Sequence, residues 1–197
     1  MALYQAGGET AYLNAAKKIV ADLDAHYWDA KTGGYFFSAD DTGDVIIRTK
    51  SANDNATPAG NGTMIDVLDR LYHLTGDGIY ETRADALAAA FAGEVQRNFF
   101  PLATYLGGID FRAGATDVII IGDRHQADTQ ALLGALLTQP QTHLVLQVVA
   151  DTAGLAADHP AHGKTQVNQA ATAYVCHNRT CSAPVTDPAQ VVAVLSR

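Results

Sequence analysis

Cysteine is nearly absent from this 197-residue chain, with Cys176 and Cys181 the only two. Two thiols cannot close an all-cysteine zinc site by themselves. Their spacing is also wider than the C-x-x-C of redox pairs, in which a helix N-terminus lowers the thiol pKa. The expectation is a pair of reduced thiols around a turn, without structural zinc. Basic residues are few, 13 Lys and Arg against 21 Asp and Glu, for a formal charge of −8. An acidic chain without a basic cluster is a poor partner for phosphate backbones or anionic lipid, so neither nucleic acid nor membrane is expected. No apolar run approaches the ~20 residues that span a bilayer. The N-terminus has no positive region followed by a long apolar stretch, which reads as a chain without a secretory leader in the cytoplasm.

Several chemical signatures are missing too. Gly122-Asp123 follows an apolar strand, but G-x-G-x-x-G does not occur and Arg124-His125 fill the positions where a phosphate needs bare backbone. No G-x-S-x-G elbow occurs. The histidines lie at non-ligand spacings, so neither a metal nor a cofactor is expected.

What remains is globular composition, 48% hydrophobic and 17% charged. Leu13, Ala16, Val20, Leu23 and Tyr27 recur at steps of 3 and 4, the stripe of an amphipathic helix. Tyr35-Phe-Phe37 and Val45-Ile-Ile47 flank Asp40-Asp-Thr-Gly-Asp44 and predict a hairpin. Thr57-Pro58 reads as a helix start, continued by Met64, Val67 or Leu68, Leu71 and Leu74 to Gly76. A third helix carries Tyr80, Ala84, Leu87, Phe91 and Val95, and residues 100–112 predict a shorter fourth.

Beyond residue 115 the pattern changes. Val118-Ile-Ile-Ile121 and Leu144-Val-Leu-Gln-Val-Val149 are runs typical of strands covered on both faces, and a helix over 126–139 separates them. Strand, helix, strand predicts a parallel βαβ unit. Residues 150–170 read mostly as loop, Thr172–Cys176 as a third strand and Asp187–Leu195 as a closing helix. The predicted class is therefore mostly α with a small α/β unit, as residues 1–115 and a βαβ-containing cap, 116–197. A repeat at an offset of 68 aligns Gly8 and Tyr12 with Gly76 and Tyr80, and it suggests a ring of helical hairpins.

Three segments carry a family resemblance. They are Trp28-Asp29 through Gly33-Gly34-Tyr35-Phe36 to Asp54 and Asn61, then Val118–Asp123, then Ala173-Tyr-Val-Cys176 to Pro184. Together they resemble the C-terminal part of thioredoxin-domain proteins related to spermatogenesis-associated protein 20. The resemblance implies an N-terminal thioredoxin-like domain joined to an (α/α)6 toroid similar to those of six-hairpin glycosidases and N-acylglucosamine 2-epimerases. This chain resembles only the last third of such a protein, with no C-x-x-C and too few helices for a full ring. It also has Asn55 where the family pattern has glycine and Ala59 where it has serine.

By that resemblance, the loop from Tyr35 to Asn61 lines a carbohydrate-type pocket. Glycoside hydrolysis needs two carboxylates, and epimerisation beside a carbonyl needs a general acid and base. Asp54 and Lys50 are the catalytic candidates, with Trp28, Tyr35, Asp40, Arg48 and Asn61 as candidates for binding a small carbohydrate-like ligand. Each also has an ordinary role open to it. Asp54 and Asn61 flank a helix start, where such residues cap N–H groups. Arg48 and Lys50 fit a solvated strand edge, and Trp28 fits core packing. Two further readings stay open: a non-catalytic interaction module that docks on the missing N-terminal part or on a second copy, and a thiol or metal protein using Cys176 and Cys181. Helical stripes without enough neighbours favour a homodimer.

Overall fold

The computed structural model describes residues 1–138 and 142–195. The elements are α1 (Ala2–Gly7), α2 (Thr10–His26), α3 (Gly60–Thr75), α4 (Gly78–Arg97), α5 (Ala103–Gly114), β1 (Thr116–Ile121), α6 (Ala127–Leu137), β2 (Leu144–Val149), β3 (Thr172–His177), β4 (Thr180–Cys181) and α7 (Pro188–Leu195). They divide into two compact units. The first comprises Met1, Glu9–Tyr72 and Asp77–Ala113; the second comprises Ala2–Gly8, His73–Gly76 and Gly114–Arg197.

In the first unit the periodic stripes become the core. Val20 of α2, Ile65, Leu68 and Leu71 of α3, and Ala84, Leu87 and Phe91 of α4 are all buried in one cluster. Leu13, Ala16, Leu23 and Tyr27 pack against it, which completes the first stripe. Tyr12 and Tyr80 each occupy the third position of their helices, and each N–H reaches the carbonyl three residues back at 3.2 Å. The repeat therefore holds at the level of helix depth. Asp77 caps α4 through its side chain, accepting from Ile79 N–H at 3.1 Å.

The second unit is a four-stranded mixed sheet of order β2-β1-β3-β4. β1 and β2 are parallel, with Val118 opposite Leu146, as the strand–helix–strand pattern predicts. β3 lies antiparallel on the other side of β1, and β4 pairs antiparallel with β3. Val118, Ile120, Leu132 and Leu136 form the core on one face; Ile119, Ile121 and Cys176 join Ala161 on the other.

Three local expectations are corrected. No hairpin forms between Tyr35–Phe37 and Val45–Ile47, because no apolar layer covers the second run: Ile46 is 98% exposed and Ile47 76%. Instead the chain turns earlier. Trp28 bridges to Tyr35, and Gly33 and Gly34 adopt left-handed φ values of 72° and 84°. The helix expected at Thr57-Pro58 starts at Gly60, because the Asp54 side chain takes the Ala59 N–H and holds 54–59 as a turn. Cys176 and Cys181 are not reduced; they form a disulfide. A two-residue turn with both Asn178 and Arg179 left-handed (φ 48° and 63°) sets the two cysteines directly opposite across β3 and β4, with Cα atoms 3.9 Å apart. The sequence reading also missed the short α1, which buries no residue, while the expected end of α6 at Gln139 lies outside the described residues.

One glycine is fixed by space as well as by dihedral angle. Gly76 has φ 76°, and a Cβ there would sit 2.0 Å from the Asp158 carbonyl oxygen. Gly76→Ala is expected to lower stability by roughly 2–4 kcal/mol, read by chemical denaturation.

Candidate functional site

The segment from Trp28 to Asn61 leaves α2, turns through two glycines and returns to the start of α3 with little regular structure. Its backbone polar groups therefore need side-chain partners. Asn61, at the start of α3 and 2% exposed, supplies three. Its Oδ1 accepts from Tyr35 N–H at 2.7 Å, and its Nδ2 donates to the Tyr35 and Ser51 carbonyls at 2.9 Å each. One amide thus ties both halves of the loop to the helix.

Lys50 holds the turn itself. Its Nζ donates to Asp29 Oδ2 at 2.7 Å, to Thr32 Oγ1 at 2.6 Å and to the Gly33 carbonyl. Asp29 also accepts from the N–H of Lys31 and the hydroxyl of Thr32. The Lys50 contact and the Thr32 hydroxyl together hold the Asp29 carboxyl far below its ordinary range.

Tyr35 is buried, and its hydroxyl donates to Asp24 Oδ1 at 2.7 Å. Burial, then that carboxylate, pushes its pKa up. Its ring meets Trp28 edge-on at 5.0 Å. Arg83 bonds Asp24 at 3.3 Å and lies 4.1 Å over the Trp28 ring.

Asp54 sits apart from these groups. Oδ1 accepts from Ala59 N–H at 2.8 Å, and Oδ2 accepts from Thr104 N–H at 2.7 Å at the start of α5. Burial acts to raise this carboxyl, but the N–H donors of Thr104 and Ala59 outweigh it and leave the pKa below its ordinary value.

Asp40 and Arg48 form a third group around the end of α2. Arg48 donates to the Ser38 carbonyl (3.0 Å) and the His26 carbonyl (2.7 Å) and lies over the Phe36 ring. Asp40 meets His26 Nδ1 at 3.0 Å, which lowers the Asp40 carboxyl and raises the His26 ring. His26, Asp40 and Asp41 carry ligand-type atoms within 4.8 Å of one another, all on exposed residues.

Trp28, Tyr35, Lys50 and Asn61 thus come together around residues 29–35, whereas Asp54 lies at a helix junction and Asp40 and Arg48 lie beyond the end of α2. An open cleft of about 570 Å³ lies beside the turn, lined by Trp28, Asp29, Thr32, Thr82, Arg83 and a row of α4 alanines.

Sequence reading missed Asp24, Asp29 and Arg83, which anchor this turn. It also missed Asp69, which is 3% exposed and bonded to Arg112 at 2.9 Å; Arg112 in turn reaches Asp85. The signal for Asp69 was a charge on the apolar face of α3, four residues after Ile65. In the second unit His73 Nδ1 meets Asp117 Oδ2 at 3.0 Å, while Asp117 Oδ1 is buried with no partner among the described residues.

The chain is homologous to spermatogenesis-associated protein 20. Identity is 30% to the protein of Homo sapiens and 29% to those of Rattus norvegicus and Mus musculus, over 194 residues and 96% of this chain in each case. The chain spans only 25% of the length of these relatives. No protein-family model matches it. Among the described residues, no helix is long and apolar enough to cross a membrane.

Two outcomes follow from the clamps. Asn61→Ala strands one N–H and two carbonyls and is expected to cost about 2–3 kcal/mol or more in denaturant unfolding. Asp29, Asp40 and Asp54 have folded pKa values depressed below their unfolded ones. Their contribution to stability is therefore complete above the unfolded carboxylate pKa, near ~4, and is lost as the pH falls through the folded values. Thermal melts are expected to be flat for these groups above about pH 5 and to drop below about pH 4, with Lys50→Met shallowing the drop.

Proposed function

We propose that this chain is a non-catalytic interaction module, the C-terminal part of a protein like spermatogenesis-associated protein 20, which docks on the remaining helical portion of such a polypeptide. One observation carries the reading. Phe37, Val45, Ile46 and Ile47, four large apolar side chains of a single loop, all lie open to water. Each such side chain forfeits about 1.5–3 kcal/mol of burial, and grouped exposure of this kind marks interaction surfaces on soluble domains.

The occupant follows from length. The matched relatives are about four times longer than the part this chain covers. In such a protein the matched quarter has three quarters of a chain beside it to cover that loop. Residues 1–115 act in this reading as hairpins of an (α/α)6-type toroid completed by the docked portion, and 116–197 as its α/β cap.

Engagement of the candidate catalytic groups also supports it. Both Asp54 oxygens are taken by backbone N–H groups, and Lys50 is held by three acceptors of the turn. For a carbohydrate-type pocket in the cleft beside Trp28, Arg83 already covers one of the two indole faces on which a sugar could stack.

The test is co-expression with the three quarters of the human relative that this chain does not match, followed by light scattering and affinity measurement. A one-to-one complex is expected, and Ile46→Asp, which alters no packed contact, should weaken it about tenfold or more. Equal binding by wild type and Ile46→Asp, or no complex at all, overturns the reading. Self-association abolished by Ile46→Asp would instead assign the loop to a homodimer.

A further inference from the structure

We propose that Cys176–Cys181 is a thiol–disulfide exchange site whose reduced form is supported by Asp117, with a small or protein dithiol as co-reactant. It is distinct from the docking loop and does not rest on that reading.

Three observations meet here. First, the bond closes a loop between residues only five apart. A cross-link over so short a span removes little freedom from the unfolded chain, so it is a weak staple for the fold. Second, the two sulfurs are unequally placed. Cys176 is 5% exposed within the β1–β3 layer, whereas Cys181 is exposed on β4, a two-residue strand at the sheet edge. An attacking thiolate therefore has open access to Cys181, and accessible disulfides are the labile class.

Third, Asp117 of β1 is the direct cross-strand partner of Cys176, on the same face of the sheet. Side chains paired in this way stand about 4.5–5.5 Å apart at Cβ. Asp117 Oδ2 is held by His73, but Oδ1 is buried with no partner among the described residues. Lys164, which interacts electrostatically with Asp117, directs its Nζ to the Pro160 carbonyl at 2.6 Å. An orphaned buried carboxylate oxygen costs free energy unless it gains a donor in another state of the protein. Opening the disulfide creates that donor, the Cys176 S–H.

A dithiol, as one thiolate, attacks Cys181 Sγ. A mixed disulfide forms, the Cys176–Cys181 bond breaks, and Cys176 leaves as a thiolate that takes a proton from water and donates it in a hydrogen bond to Asp117 Oδ1. The second thiol of the reagent, deprotonated, attacks the mixed disulfide and releases Cys181 as a thiol. The dithiol is oxidised to its cyclic disulfide, and this chain gains two electrons and two protons.

The experiment equilibrates the full chain across ratios of reduced to oxidised dithiothreitol, traps thiols by alkylation and counts them by mass, with circular dichroism on the same samples. Reversible reduction of both cysteines with native secondary structure retained is expected. Asp117→Asn should shift the midpoint ratio at least about threefold toward the disulfide form, and Cys181→Ser gives the permanently open form as the folding control. A disulfide that opens only as the fold melts overturns the exchange site. A folded Asp117→Asn chain with an unchanged midpoint overturns the role of Asp117. Should that variant not fold, faster alkylation of Cys181 than of Cys176 in the reduced wild type is required, and equal rates overturn the assigned direction of attack.

Discussion

The Asn61 amide is the interaction on which the helical unit depends. Residues 28–59 contain no extended pairing beyond one bridge, so the loop has no ladder to satisfy its backbone. A single buried side chain at the start of α3 closes on Tyr35 from both its N–H and its carbonyl, and on Ser51 as well. With Tyr35 fixed, its ring packs against Trp28 and its hydroxyl meets Asp24, so α2, the turn and α3 are joined through one residue. Lys50 and Asp54 extend the same logic to the turn and to α5.

This explains why polar residues that look like chemistry in the sequence are bonded to backbone in the fold. A loop with few regular hydrogen bonds must take its donors and acceptors from side chains, and the residues suited to that work are Asp, Asn, Lys and Arg, the types that also serve catalysis. Loop composition cannot separate the two roles. The partners can: backbone N–H groups and carbonyls for Asp54, Asn61 and Arg48, and an internal carboxylate for Lys50.

Much of the fold was legible. The stripes of α2 and α4 become buried faces because a 3.6-residue period directs one side of each helix inward whatever lies opposite. β1 and β2 were legible because strands covered on both faces need continuous apolar runs. The pairing of Trp28 with Tyr35 was hidden because it depends on consecutive left-handed glycines, and the exposed Val45–Ile47 run imitated a strand without a layer to cover it. The disulfide was hidden for a related reason. Spacing alone does not reveal that Asn178 and Arg179 both turn left-handed and bring the cysteines face to face.

Amide hydrogen exchange tests most directly whether the loop's polar side chains are held by its own backbone. The Tyr35 amide, donated to Asn61, and the Ala59 and Thr104 amides, donated to Asp54, should exchange as slowly as those of the buried helices, while the amide of exposed Ile46 exchanges fast. Exchange of the Tyr35, Ala59 and Thr104 amides at the open-loop rate of Ile46 would contradict the account, because Asn61 and Asp54 would then be free of the backbone groups that the structure assigns to them.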